Sequence, residues 1–144
     1  MRRKIIGLIL VGVLSISMVG CKNNEYQELQ IQQEQTIDAL SVIKDLEFYD
    51  DICSRMLNAT SKMETIEGYN IGTEILNELR EYNNCVETDE LKNILLNAVV
   101  CFNETVVCIL KGDLYNAQKL TNDFVMYTNE YQREINILVE EYYN

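Results

Sequence analysis

Hydrophobic and polar positions along the chain fall into five stretches with different periods. Residues Ile5 to Gly20 are apolar almost without interruption, and Arg2, Arg3 and Lys4 precede them. From Lys22 to Gln35 the chain is rich in Asn, Gln and Glu and has too few apolar residues to bury a face. This stretch reads as a solvated spacer, partly helical because Gln and Glu are good helix formers. Beyond it the only glycines are Gly68, Gly72 and Gly112, and proline is absent, so no hairpin turn punctuates the remaining 100 or so residues. Long uninterrupted elements are therefore expected, and their spacing is helical.

The first predicted helix covers 36–66, where Ala39, Val42, Leu46, Tyr49, Cys53, Met56, Thr60 and Met63 alternate spacings of three and four, and Ile43, Ile52 and Leu57 widen that stripe. Gly68 and Gly72 are read as a loop, and Thr73 as the cap of a shorter helix over 73–86 with Ile75, Leu76, Leu79, Tyr82 and Val86 inward. Thr88, Asp89 and Glu90 supply a cap and an acidic first turn for a third helix over 89–111. That helix is apolar nearly all round and should be the most buried. Gly112 is placed for a left-handed C-terminal cap, and Asp113 starts a fourth helix over 114–142 with Leu114, Ala117, Thr121, Phe124, Thr128, Tyr131, Ile135, Leu138 and Tyr142 on its seam. The expectation is an all-α fold, an antiparallel bundle of about four helices. The domain boundaries read 1–20 signal peptide, 21–35 polar tether and 36–144 bundle.

The basic start, the short apolar run and the small residues closing it follow the plan of an export signal. Sixteen apolar residues fall short of the ~20 that a membrane-spanning helix needs. At Met18, Val19, Gly20 and Cys21 the chain resembles the lipobox of bacterial lipoprotein precursors, with Met18 where leucine is commonest. The resemblance covers about 21 residues and implies a thioether-linked diacylglyceryl group on Cys21 and signal cleavage between Gly20 and Cys21. Two acyl chains suffice for stable anchoring, whereas one does not. The alternative is an uncleaved anchor helix. Either way, the Arg2, Arg3, Lys4 cluster stays cytoplasmic under the positive-inside rule, and the domain is expected outside. The implied location is the outer face of the cytoplasmic membrane, or the periplasmic or outer-membrane face in a diderm envelope.

Charge sharpens this reading. After residue 20 there are 9 basic against 23 acidic residues, a net charge of −14, which disfavours nucleic acids and anionic lipid surfaces as partners. The acidic positions Asp45, Glu47, Asp50, Asp51, Glu74, Glu78 and Glu81 are expected mostly on outward faces that solvate the domain. Histidine is absent, so imidazole bases and histidine-rich metal centres are excluded.

The chemistry on offer is sparse. Besides Cys21 there are Cys53, Cys85, Cys101 and Cys108. Cys101 and Cys108 lie about 10.5 Å apart along one helix, too far to bridge. If the first two helices turn at Gly68 and Gly72, Cys53 and Cys85 come level and a Cys53–Cys85 disulfide is allowed; the other reading is four reduced thiols acting as small core hydrophobes. No close-spaced cysteine pair suggests zinc. Glu74 with Glu78, and Glu130 with Glu134, share helical faces, as exposed acids on acidic helices commonly do. Phosphate loops, nucleophile elbows and calcium loops are missing from the sequence. Tyr115, Asn122, Asn129, Asn136 and Tyr143 recur every seven residues and form a strip of the kind that suits adaptable contacts, or a solvated face. Phe48, Met126 and Ile137 lie off their seams and extend such a surface.

These readings converge on a lipid-anchored, extracytoplasmic helical protein that binds another protein or an envelope component. It is expected to have no enzymatic activity, cofactor or metal, and Cys21 is the one residue of assigned chemistry. The alternatives are a helical carrier of a small apolar ligand and a hydrolase of envelope polymers using paired carboxylates.

Overall fold

The structure is a computed structural model that describes residues 23–143, with side chains over 38–141. The signal peptide, Gly20 and Cys21 lie outside the described residues. The chain divides into two compact units, Met1–Leu40 and Ser41–Asn144. The described part of the first unit is helical throughout, the polar stretch after Asn23 included.

Four α-helices are present among the described residues: α1 (Asn23–Thr60), α2 (Ile66–Glu81), α3 (Asp89–Leu110) and α4 (Leu114–Tyr143), with a 3-10 turn at Val86–Thr88. The second unit is the expected all-α antiparallel bundle. Its core takes Val42, Tyr49, Ile52 and Met56 from α1, Ile75 and Leu79 from α2, and Tyr131 and Leu138 from α4. The largest share comes from α3, with Leu91, Ile94, Leu95, Val99, Phe102 and Val106. By length and composition Val86–Leu110 is apolar enough to cross a membrane, and its inward positions are those that the other helices cover.

α1 runs from Asn23 to Thr60 where the pattern gives 36–66, and α2 closes at Glu81 instead of residue 86, which leaves Val86 outside it and 80% exposed. α2 starts at Ile66 instead of residue 73, because Thr65 caps it: the Thr65 backbone is extended and its hydroxyl accepts from Gly68 N at 3.4 Å. Gly68 and Gly72 are thus buried helix positions, not a loop. A Cβ on Gly68 would meet Lys62 O at 2.3 Å, and one on Gly72 would meet Asn103 Oδ1 at 2.0 Å. Both glycines allow close approach. Gly112 behaves as expected, with φ 76° and open space around it. Asp113 caps α4 by accepting from Asn116 N at 3.2 Å.

On α1 the expected seam holds at Val42, Tyr49 and Met56 and shifts by one residue at the positions between them, while Leu57 is exposed. Asp45, Ile52 and Ala59 are buried, while their neighbours Leu46, Cys53 and Thr60 are half-buried. Asp45 is therefore a core residue and not part of the solvated acidic face.

Candidate functional site

Three features of the bundle carry polar chemistry or open surface: a buried carboxylate, an apolar cleft and the outer strip of α4. The buried carboxylate is Asp45, 3% exposed. Its Oδ1 accepts from Tyr82 Oη at 2.8 Å, and its Oδ2 accepts from Cys85 N at 2.8 Å and Thr88 Oγ1 at 2.6 Å. Thr88 stands at the start of α3 but makes no side-chain cap bond there, because its hydroxyl is turned to Asp45. Lys92 Nζ donates to Tyr82 O at 2.6 Å and Asn84 Nδ2 to Asp89 Oδ1 at 2.6 Å, so residues 82–89 are held at both edges. Phe48 stacks on Tyr82 with ring centroids 3.8 Å apart, which removes it from the exposed surface suggested for it. Burial pushes the Asp45 carboxyl up, but the bonds from Thr88, Cys85 and Tyr82 outweigh that and hold it below its ordinary 3.8.

This arrangement fixes structure and leaves no chemistry free. Three protein donors occupy the Asp45 carboxylate, and its lowered pKa makes it a poor proton acceptor. Glu78 pairs with Arg55 through two bonds of 2.5 and 2.7 Å, not with Glu74, and Glu134 takes Arg133 at 2.8 Å. No buried pair of facing acids and no cluster of three metal-ligating side chains occurs among the described residues.

The Cys53–Cys85 disulfide is not formed: Cys53, Cys85, Cys101 and Cys108 are all free thiols. The reason is register. Because the chain turns at residues 61–65, Cys85 reaches the level of Asp45, and Asp45 precedes Cys53 by about 12 Å of helix. Cys53 instead sits beside Tyr131 of α4. Burial pushes the Cys53 and Cys101 thiols up, and burial together with Asp45 pushes Cys85 up to about 11, so none of the three is an activated nucleophile. Peptide mapping of the unreduced, alkylated protein is expected to find all four cysteines alkylated. A linked pair of peptides containing Cys53 and Cys85 would refute this register.

The apolar cleft lies between α1, α3 and α4 of the second unit and encloses about 380 Å³. Cys53, Met56, Leu95, Val99, Phe124 and Tyr131 line it, with Thr128 and Gln132 among the polar members. On the outside of α4, Tyr115 is 83% exposed, and Met126 and Ile137 are each 51% exposed. Asn122, Asn129 and Asn136 are exposed beside them. At 1.5 Å per residue, Tyr115 to Ile137 spans about 33 Å on one side of the helix. The Tyr143 side chain lies outside the described residues.

The sequence pattern marks the α4 strip but not the Asp45 hub. A signal for the hub existed, since Asp45 stands three residues after Val42 and four before Tyr49, in step with the apolar period. Compared with protein-family models, with curated proteins and with solved structures, the chain has no significant match in any of the three.

Proposed function

We propose that the chain is a lipoprotein, anchored through a diacylglyceryl group on Cys21 after cleavage at Gly20, whose helical domain acts outside the cytoplasmic membrane by binding a protein or envelope component. The observation that supports a binding role is the α4 strip, where exposed Tyr115, Met126 and Ile137 alternate with exposed Asn122, Asn129 and Asn136. Tyrosine and methionine are enriched at protein interfaces, and asparagine supplies hydrogen bonds that adapt to a partner. The net charge of −14 after residue 20 favours a partner with a basic or neutral contact face.

A photo-crosslinking residue at Met126, in the full chain expressed in its own cells, is expected to give a discrete adduct. The same residue at Glu47, exposed on α1, should give none. Ile137→Glu should reduce the Met126 adduct at least about fivefold, because a charge there must be desolvated on docking. Equal labelling from Met126 and Glu47, or an adduct unaffected by Ile137→Glu, would contradict the strip as the contact surface.

A second reading, a carrier of a small apolar ligand, is favoured by the cleft between α1, α3 and α4. Its 380 Å³ lies within the range of roughly 300–1,000 Å³ usual for small-molecule sites, and its lining is mostly apolar. A stoichiometric bound lipid in native mass spectrometry, displaced by Val99→Phe, would favour that reading. The hydrolase reading needs two facing acids in a cleft, and the one buried carboxylate among the described residues is Asp45, already occupied.

A further inference from the structure

The cleft between α1, α3 and α4 also bears on the build of its occupant, an inference that rests on the carrier reading. On α1 the lining runs from Asp50 to Thr60, about 15 Å at 1.5 Å per residue. On α4 it runs the opposite way, from Phe124 to Ile135, and Leu95 and Val99 of α3 form the floor. A space of 380 Å³ spread over that length averages about 25 Å² in section. A helix, ~10–12 Å across with its side chains, is too wide for it. An extended peptide is narrow enough, since strands pack ~4.8 Å apart, but its amide groups would meet apolar carbon along the floor. A single alkyl chain fits and needs no hydrogen bonds.

The two ends of this groove differ. Cys53 of α1 sits beside Tyr131 of α4, so the antiparallel helices bring Asp50 and Gln132 toward one end and leave Thr60 and Phe124 at the other. Asp50 is the one charged residue in the lining, and its field reaches into the groove. Burial pushes the Cys53 thiol and the Tyr131 hydroxyl up, and the negative charge of Asp50 adds to both. Exposed Glu47 and Asp51 lie within one turn of Asp50 on α1. No base lines the groove among the described residues. An anionic head is repelled at that end, whereas an ammonium gains from the field and has acceptors in the Asp50 carboxylate and the Gln132 amide oxygen.

We propose that the cleft binds a single-chain amphiphile with a primary ammonium head, its alkyl chain lying along Leu95 and Val99 and its head against Asp50 and Gln132.

The test uses the full chain in micelles of an uncharged detergent, with n-decylamine, decanol and decanoate as probes that share one tail and differ in the head. At about pH 8 the amine is charged, as a lysine side chain is. Occupancy is read at Cys53, which lines the cleft, as slowed alkylation by iodoacetamide; Cys101, which does not line it, is the control. Decylamine should protect Cys53 at concentrations about fivefold lower than decanol and at least about tenfold lower than decanoate, with the Cys101 rate unchanged. Asp50→Asn alters an exposed side chain and should bring decylamine and decanol within about twofold of each other with the fold intact. Protection by decanol or decanoate at concentrations as low as for decylamine, or a preference that survives Asp50→Asn, would overturn the cationic head and leave the carrier reading standing. Failure of all three probes to protect Cys53 would overturn both.

Discussion

Asp45→Ala is expected to destabilise the bundle by about 3–5 kcal/mol, the largest effect of any exchange of a charged residue on α1. The estimate follows from what the substitution strands. Thr88 Oγ1 is fully buried, and the Cys85 amide and Tyr82 hydroxyl are directed at the same carboxylate. A buried donor without an acceptor costs about 1–3 kcal/mol, and not all three can reach water after the change. Glu47→Ala, two residues away and exposed, should change stability by no more than about 0.5 kcal/mol. Urea unfolding checks both, with the midpoint displaced in Asp45→Ala and the slope preserved. A pH series adds an independent reading. Because the folded carboxyl lies below its ordinary 3.8, its contribution is fully present above that pH and is lost as pH falls through the folded value. The gap between wild type and Asp45→Ala should therefore be constant from neutral pH down to about pH 5 and narrow below 3.8. An unchanged midpoint in Asp45→Ala would remove the hub from the account.

Gly68→Ala should also be strongly destabilising, by about 2–4 kcal/mol, although alanine is ordinarily the better helix former by about 1 kcal/mol. The new methyl would stand 2.3 Å from Lys62 O and 2.8 Å from the Lys62 carbonyl carbon. Rotating a side chain does not relieve a backbone clash, and Lys62 O is already fixed by Thr65 N at 3.0 Å and Thr65 Oγ1 at 2.8 Å. The turn between α1 and α2 would have to open. Gly72→Ala makes a useful comparison, because its nearest obstacle is the Asn103 side chain, which can swing aside, although the Phe102 ring at 3.0 Å resists. The expected order of destabilisation is Gly68→Ala over Gly72→Ala. Denaturant midpoints decide it, and a stabilising Gly68→Ala would show that the turn is not as tight as described.

Much of this architecture was readable from spacing. The inward positions Val42, Tyr49 and Met56 of α1, Ile75 and Leu79 of α2, and Ala117, Tyr131 and Leu138 of α4 follow from apolar periods and are buried, whereas Leu57, Val86 and Leu114, read onto the same seams, are exposed. The turn at Gly112 follows from one glycine between two strong helical patterns, and its positive φ agrees. What misled the pattern was glycine with a second meaning. Gly68 and Gly72 look like loop residues because glycine weakens helices, yet here they permit backbone and side-chain contacts that a larger residue would block. Misplacing that turn shifted the register of α2 against α1 and brought Cys53 level with Cys85, where the true neighbour of Cys85 is Asp45. Asp45 was hidden for a related reason: an aspartate among Glu47, Asp50 and Asp51 reads as one more solvated charge unless its partners on residues 82–88 are already known. Two helices separated in sequence had to be docked before the carboxylate acquired donors.

We propose above all that Cys21 carries lipid and holds an acidic helical domain at the outside of the membrane. Growth of cells expressing the chain with an alkyne-tagged fatty acid, followed by fluorophore ligation and immunoprecipitation, tests it most directly. Label is expected on a wild-type product shortened at its N-terminus and found in the membrane fraction, and none on Cys21→Ala, which persists as the full-length precursor. Unlabelled wild-type protein, or a Cys21→Ala variant that still acquires label and is processed normally, would contradict it.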